Sequence, residues 1–351
     1  MKHQIQGSFM KDKVDRRLAI WLYCGAAGIL IQILLGGITR LTGSGLSITE
    51  WKPLLGAIPP LNAAEWEHSF HQYKQIAQYK IVNTHFNLED YKAIYFWEWL
   101  HRNWARMLGL LFIIPYLLFS LKNEIPKKLH LHLIVLFVLG TLQGFMGWIM
   151  VKSGLNDTDI TVSDLRLAIH FLAAVVLFAY TLWVAFWISI PNYLILPPLH
   201  SKQTPFLLLI VIILQLFFGA LMAGSKAALS APTWPDMNGS LLPTALYETG
   251  ADPHWRYLLV VQFIHRLLAY LILAFTIILY YRTGKQRPQQ FSFVTTKLPL
   301  LLTLVQLALG ICSVIYSFEP FVRNFALLHQ LVALLLVSNV LLICYLNQKN
   351  N

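Results

Sequence analysis

Along the chain, long apolar runs alternate with polar breaks. The runs fall near 18–38, 98–120, 130–151, 166–190, 205–224, 256–281, 298–317 and 325–346. About 20 apolar residues cross a bilayer core, and a segment in lipid must satisfy its own backbone hydrogen bonds. The pattern therefore predicts eight transmembrane helices in an all-α polytopic membrane protein. Two breaks are long, about 39–97 and 225–255. The first carries Glu65, Glu67, Glu89 and Asp90 among aromatics, so it is expected to form a partly helical cap, with Pro53, Pro59 and Pro60 breaking its start.

Polar residues inside the apolar runs repeat. Gln32/Gly36, Gln143/Gly147, Gln215/Gly219 and Gln306/Gly310 lie on the odd spans, each pair four residues apart, and His101, His170, His265 and His329 lie in the outer parts of the even spans. His265 follows His101 by 164 residues, Gln306 follows Gln143 by 163, and His329 follows His170 by 159. Gln215 follows Gln32 by 183 because the first outside loop is longer. Four spans per half is an even number, so the expectation is two tandem four-helix bundles, residues 1–204 and 205–351, related by an axis along the membrane normal. The glutamine and glycine pairs can serve helix packing or close approach to a flat ligand.

Composition and charge narrow the class. The 351 residues are 57% hydrophobic and 12% charged, against about a quarter charged in soluble domains, which excludes a soluble enzyme. The formal charge of +11 is accounted for by inside loops and not by nucleic acid. With the N-terminus inside, Lys2, Lys11, Lys13, Arg16, Arg17, Lys122, Lys127, Lys128, Lys202, Arg282, Lys285, Arg287, Lys297 and Lys349 all fall on the inner side. The short outer loops offer only Lys152 and Arg323, with Arg166 at a helix mouth, so both termini are expected in the cytoplasm. Gln32 belongs to the repeat, which argues that the first span is retained and not cleaved as a signal. Asp12 and Asp15 speak against an organelle transit peptide, so a bacterial cytoplasmic (inner) membrane is expected, with the mitochondrial inner membrane as fallback. Cys24, Cys312 and Cys344 all sit in apolar runs and form no disulfide or zinc pattern.

Ionisable residues within spans are costly and are functional candidates by default. Two neutral imidazoles facing each other across a four-helix bundle are suited to hold a haem iron from both sides. Zinc would require three or four ligands per site, which neither half supplies. Arg102 and Arg266 directly follow His101 and His265, and Arg166 lies one turn outward of His170. Such guanidiniums can bind haem propionates or snorkel to the interface. The halves differ at two positions: Glu98 stands three residues before His101, where Gln262 precedes His265, and Arg166 corresponds to Phe325. A carboxylate there can move protons or pair with Arg102 one turn along.

The segments GGITRLTGSGLSITEWKPLLGAIPP (36–60) and YFWEWLHRNWARMLG (95–109) resemble the signature of the haem A synthase family, which converts haem O to haem A for cytochrome oxidase. FIHRLLAYL (263–271), LRLAIHFL (165–172) and FALLHQLVALLL (325–336) follow in that family's order. The resemblance implies that His101 and His170 flank the haem O substrate, that His265 and His329 ligate a resident haem B, and that Glu98 is the family's acidic residue. It also implies oxidation of a haem methyl to a formyl group by successive hydroxylations through a geminal diol. Some members carry a cysteine pair in the first outside loop; residues 39–97 have none, so the chain resembles the cysteine-free branch.

A di-haem electron carrier of cytochrome b type would share the four histidines but would not require unequal neighbours or the 36–60 segment. A transporter would show matched helix breaks, yet the position 164 residues after Pro115 is Leu279. A prenyltransferase would need an acidic cluster on the inner face, and Asp157, Asp159 and Asp164 fall outside. Expected partners are haem O, the lipid bilayer, an electron-transfer partner of unspecified identity, haem O synthase and cytochrome oxidase assembly factors. Gly140/Gly144 would permit helix association.

Overall fold

The computed structural model describes residues 2–52, 55–191, 203–243, 247–248, 250–283 and 293–347. Pro53, Lys202, Lys285, Arg287 and Lys349 of the sequence argument lie outside the described residues, as do the side chains of Lys2, Lys11 and Lys13. The regular structure among the described residues is helical. The helices are α1 (Lys2–Leu41), α2 (Ala63–Tyr73), α3 (Leu88–Leu121), α4 (Lys127–Lys152), α5 (Asp164–Ser189), α6 (Gln203–Ser225), α7 (Pro253–Thr283), α8 (Leu298–Ile315) and α9 (Val322–Leu346). All but α2 are long and apolar enough to cross a membrane, which makes the eight spans of a multi-pass membrane protein.

One boundary differs from the expectation. The second span starts at Leu88, ten residues before the apolar run. A capping box fixes that start: Asn87 Oδ1 accepts from the Glu89 and Asp90 N–H groups, and Asp90 Oδ2 accepts from the Asn87 N–H at 3.0 Å. The end of the polar segment is therefore already the start of the second apolar helix, so the first long loop is shorter than 39–97.

The chain packs as two compact units, residues 24–178, and residues 1–23 with 179–351. This division by packing differs from the sequence halves 1–204 and 205–351. In the second unit α6 packs on α7 and α9, and α8 on α7 and α9, closing a four-helix ring. Leu208, Val211, Ile212 and Leu216 of α6, and Leu334, Val337, Val340 and Leu341 of α9, are its buried stripes at helical spacing. The N-terminal part of α1 and the C-terminal part of α5 belong to the same unit. Tyr23 bonds Ser189 at 2.8 Å, and Tyr345 packs against Trp183 and Phe186. Lipid tails are as apolar as leucine, so these contacts stabilise through close packing and not through removal from water.

In the 24–178 unit the first outside loop folds into an aromatic cap. Leu46, Phe70, Tyr73, Tyr91, Ile94 and Tyr95 form its buried core, with Val151, Leu155 and Val162 from the α4–α5 side packed against it. The buried hydroxyls are paired, as burial demands. Tyr73 Oη donates to Gln78 Oε1 at 3.0 Å and accepts from Asn83 Nδ2 at 2.8 Å, and burial pushes its phenol up to about 12. Tyr91 Oη bonds Ser69 Oγ at 2.6 Å and donates to the Ser47 carbonyl at 3.1 Å. The cap is tied to the α4–α5 loop by the Ala77 N–H to the Asn156 carbonyl (3.1 Å) and by Lys80 to Asp157 (3.1 Å).

Candidate functional site

Each of the four histidines sits on a ledge made by the preceding odd span. Gln32 Nε2 lies 3.2 Å from His101 Nδ1 and donates to the His101 carbonyl at 3.1 Å; Gln143 makes the same two contacts with His170 at 3.2 and 2.9 Å. Gln215 Nε2 lies 3.2 Å from His265 Nε2, and His329 Nδ1 lies 3.1 Å from the Gln306 carbonyl. One turn on, the glycine is bare against the ring. A Cβ at Gly36, Gly147, Gly219 or Gly310 would stand 3.0–3.1 Å from Cε1 of His101, His170, His265 or His329 respectively. That contact is tighter than an ordinary van der Waals approach, so only glycine lets the imidazole lie where it does. The Gln/Gly spacing thus serves packing, and what it packs is a histidine. His170 lies within electrostatic reach of His101, and the rings of His265 and His329 stand 6.4 Å apart between centroids.

Outward of each pair, the following loop is fastened to the histidine helix by matching groups. In the first unit Glu98 is buried; its Oε2 accepts from Ser47 Oγ (2.7 Å) and the Ile48 N–H (2.9 Å), and its Oε1 from Arg102 (2.6 Å). Arg102 also donates to the Ile48 and Glu50 carbonyls. In the second unit Gln262 is fully buried, accepts from Ser230 Oγ (3.3 Å) and donates to the Ala231 carbonyl (2.9 Å). Arg266 donates to the Ala231, Thr233 and Asp236 carbonyls. Asp236 itself is held below the usual carboxylate range by the Thr233 hydroxyl and the Gly239 N–H. The guanidiniums of Arg102 and Arg266, considered from sequence as propionate binders, are engaged with loop carbonyls. Arg166 is exposed and donates to the Ile149 carbonyl.

Sequence reasoning missed part of this pattern, although the signal was present. The 183-residue offset of Gln32 and Gln215, carried forward, pairs Gly43 with Lys226, Ser47 with Ser230 and Trp51 with Trp234. Gly43 and Lys226 both have left-handed backbone, φ +69° and +57°, which reverses the chain after α1 and α6. Trp51 packs against Trp148 at 6.1 Å, while Trp234 reaches Tyr270 Oη at 3.3 Å. Beyond Trp51 the first unit adds a strap with no counterpart found from sequence. Arg106 donates to the Lys52 carbonyl, and Trp99 and Asn103 both donate to the Ala57 carbonyl, fastening Lys52 and Ala57 to α3.

The second pair is suited to one metal ion between two rings. A metal–imidazole bond of about 2 Å places facing nitrogens about 4 Å apart, which rings with centroids 6.4 Å apart can meet. His265 Nδ1, Gln215 Oε1 and Gln306 Oε1 are buried without a hydrogen-bond partner, so this pocket holds polar capacity that the protein leaves unused. Among the described residues no group of three or more His, Cys, Asp and Glu could hold a metal. Two imidazoles carried by opposite helices of the ring, α7 and α9, are a donor set that would suit a bis-histidine haem.

Fold and site together define a multi-pass helical membrane protein with two half-buried histidine pairs, each ring seated on a glutamine and glycine ledge. Residues 19–341 match the family described as cytochrome oxidase assembly protein, COX15-CtaA, and the chain belongs to that family. Among its relatives, a Heme A synthase of Agrobacterium fabrum is 41% identical over 344 residues, covering 95% of this chain and 91% of the relative. A Heme A synthase of Azorhizobium caulinodans is 40% identical over 340 residues, covering 95% of each chain. One of Nitrosomonas eutropha is 39% identical over 349 residues, covering 96% of each.

Proposed function

We propose that the chain is a haem A synthase, oxidising a methyl group of haem O to a formyl group for cytochrome oxidase assembly. The observation that carries this reading is the pairing of two equivalent histidine ledges with unequal rims, a buried carboxylate in one unit and an amide in the other. It is supported by relatives of near-equal length that bear this name. His101 and His170 hold the substrate haem in the first half, residues 1–204. His265 and His329 hold a resident haem B in the second, residues 205–351. A bound haem supplies iron-centred one-electron chemistry.

The chain's own residues do the rest. The glutamine ledges fix the rings and leave their free faces toward the ligand. The cap excludes bulk water from above the first pair. Glu98 places a carboxylate one turn outward of His101, where a proton released at the reacting methyl can be taken up. Its companions Ser47, Ile48 and Arg102 hold it in place. The setting is the bacterial cytoplasmic membrane with both termini inside; haem O synthase and oxidase assembly factors are the partners that supply substrate and take product.

The test is haem extraction and mass analysis of protein made in cells supplied with haem O. Wild type is expected to yield haem B and haem A. Glu98→Gln should keep the porphyrin and lose the formyl product, and His265→Ala should lose haem B. If every variant that keeps haem returns only unmodified haem B, the chain is a di-haem electron carrier instead.

A further inference from the structure

Arg102 and Arg266 are engaged with loop carbonyls, but α1 carries a further arginine at its outer end. Arg40 lies in the last turn of that helix and is half-buried. Among the described residues its guanidinium makes no hydrogen bond, ion pair or ring contact. The backbone around it is fastened. Thr39 Oγ1 donates to the Leu35 carbonyl at 2.8 Å and to the Trp97 carbonyl of α3 at 3.3 Å. The Gly43 N–H donates to the Arg40 carbonyl at 3.1 Å and the Ser44 N–H to the Thr39 carbonyl at 2.9 Å. The turn that bears Arg40 is therefore fixed in place while its charged group is left over.

Helical spacing says which way that group faces. Two positions mark the side of α1 turned to the interior: Ile33, which is buried, and Gly36, where a Cβ would stand 3.1 Å from the His101 ring. Arg40 follows Ile33 by seven residues and Gly36 by four, so it shares their side. At 1.5 Å per residue it stands about 6 Å outward of Gly36. The exposed positions Cys24, Ala27 and Ile31 lie on the opposite side of the helix. Arg40 thus sits at the outer rim of the first histidine pair and not among lipid.

The protein supplies this cation with no counter-charge. Glu98, the buried acid of the same rim, is taken by Ser47, Ile48 and Arg102, and Glu50 by Lys52 and Gln72. The second unit has no equivalent, because the 183-residue offset that pairs Gly43 with Lys226 puts Ala223 opposite Arg40. Fastening the outer loop, the task the two units share, therefore does not require it. An ionisable group held at this depth without a partner is costly, and it points to an anion that arrives with the ligand.

We propose that Arg40 binds a propionate carboxylate of the substrate haem and so fixes which way round the porphyrin sits between His101 and His170. The proposal rests on the first histidine pair being the substrate site. A haem held through its iron alone can turn about the axis between the two rings. A guanidinium at one edge of the pocket grips a carboxylate in two-pronged fashion, which pins that edge outward and decides which methyl group meets the reacting position. No such choice is needed for a resident haem that is not altered, in keeping with Ala223 in the second unit.

The experiment titrates full-length protein, with its resident haem B in place, with haem O and with haem O whose propionates are methyl esters. Bound haem O is counted by extraction and mass analysis. Wild type is expected to prefer the free acid by about ten- to hundredfold, the scale of a hydrogen bond to a charged group. Arg40→Gln should lose haem O affinity by a similar factor and most of the preference for acid over ester, while keeping its haem B. Arg40→Lys, which retains the charge without the fork, should fall between the two. Equal affinity of wild type for acid and ester overturns the proposal without reliance on any variant. Unchanged haem O affinity in Arg40→Gln, or equal losses for acid and ester, overturns it as well. His101→Ala should abolish haem O capture; if haem O still binds there, it is the assignment of the substrate site that fails.

Discussion

The two histidine units fasten their outer loops with the same architecture and a different charge. In one, a carboxylate at position 98 receives a serine hydroxyl, a backbone N–H and an arginine. In the other, an amide at position 262 receives the equivalent serine hydroxyl and gives a hydrogen bond to the equivalent residue's carbonyl. Holding the loop therefore does not require a negative charge, because glutamine does it in the second unit with a neutral group. The charge of Glu98 is surplus to that task, which makes it a candidate for chemistry and not only for structure. The arginines teach the converse. Arg102 and Arg266 spend their donors on loop carbonyls in both units, so holding the loop is what they share.

The largest effects should separate the units at the histidines. His329→Ala is expected to abolish the resident haem B while leaving haem O capture at the first pair, and His170→Ala is expected to do the reverse, as read by haem extraction. Loss of both haems from either single variant would mean that the units do not act separately. The ledge glycines come next. Gly147→Val and Gly310→Val place a Cβ about 3.0 Å from the Cε1 of His170 and His329, and the branched side chain crowds further. Each ring must shift, so each variant should lose most haem binding at its own pair only, measured as haem content per protein.

Exchanging the rim charge is a smaller perturbation. Gln262→Glu replaces the Nε2 donor facing the Ala231 carbonyl with a carboxylate oxygen, leaving two acceptors face to face in a buried site. Unmaking that hydrogen bond should cost about 1–3 kcal/mol, read as a lowered unfolding midpoint. Glu98→Gln keeps a possible acceptor for Ser47 and Ile48 but loses the ion pair with Arg102. An unchanged midpoint in Gln262→Glu would show that the two rims are interchangeable after all, and that the choice of group carries no structural information.

Much of this was legible in the sequence, for identifiable reasons. The spans follow from apolar run length, since lipid forces each run to satisfy its own backbone. The histidines and their Gln/Gly partners stood out because polar residues are sparse in such runs, so their spacing is visible against a quiet background. The start of α3 at Leu88 was not seen, because a capping box, and not hydropathy, sets it. The strap was also missed. Its contacts are arginine, tryptophan and asparagine side chains reaching backbone carbonyls, as in Arg106 to Lys52 and Trp99 to Ala57. A carbonyl acceptor has no residue identity, so no sequence pattern records it. The same holds for the loop carbonyls that Arg102 and Arg266 reach, whereas the pairing of Arg102 with Glu98 one turn along was visible as an i, i+4 pair. Gly140 and Gly144 read as an association motif in sequence, whereas only coordinates separate a glycine in contact from one facing open space.

The smallest expected effect concerns how the strap is tied to the cap, a connection made in the first unit by Glu50. Its carboxylate pairs with Lys52 and accepts from Gln72 Nε2 on α2 at 2.8 Å. The Lys52 ammonium and the Gln72 amide hold Glu50 below the usual carboxylate range. A depressed folded pKa means that the contribution is present above the unfolded value of about 4.3 and is lost as pH falls through the folded one. The Glu50 side chain is 40% exposed, so solvent screening limits the effect to at most about 1 kcal/mol. Hydrogen exchange over residues 63–73 should therefore quicken modestly in wild type as pH drops below about 4, after correction for intrinsic rates. Glu50→Gln should already show the quicker exchange at neutral pH and no further step in acid. Identical protection in the two proteins at pH 7 would mean that the cap is held by its aromatic core and the Glu98 rim alone, with Glu50 a bystander at its edge.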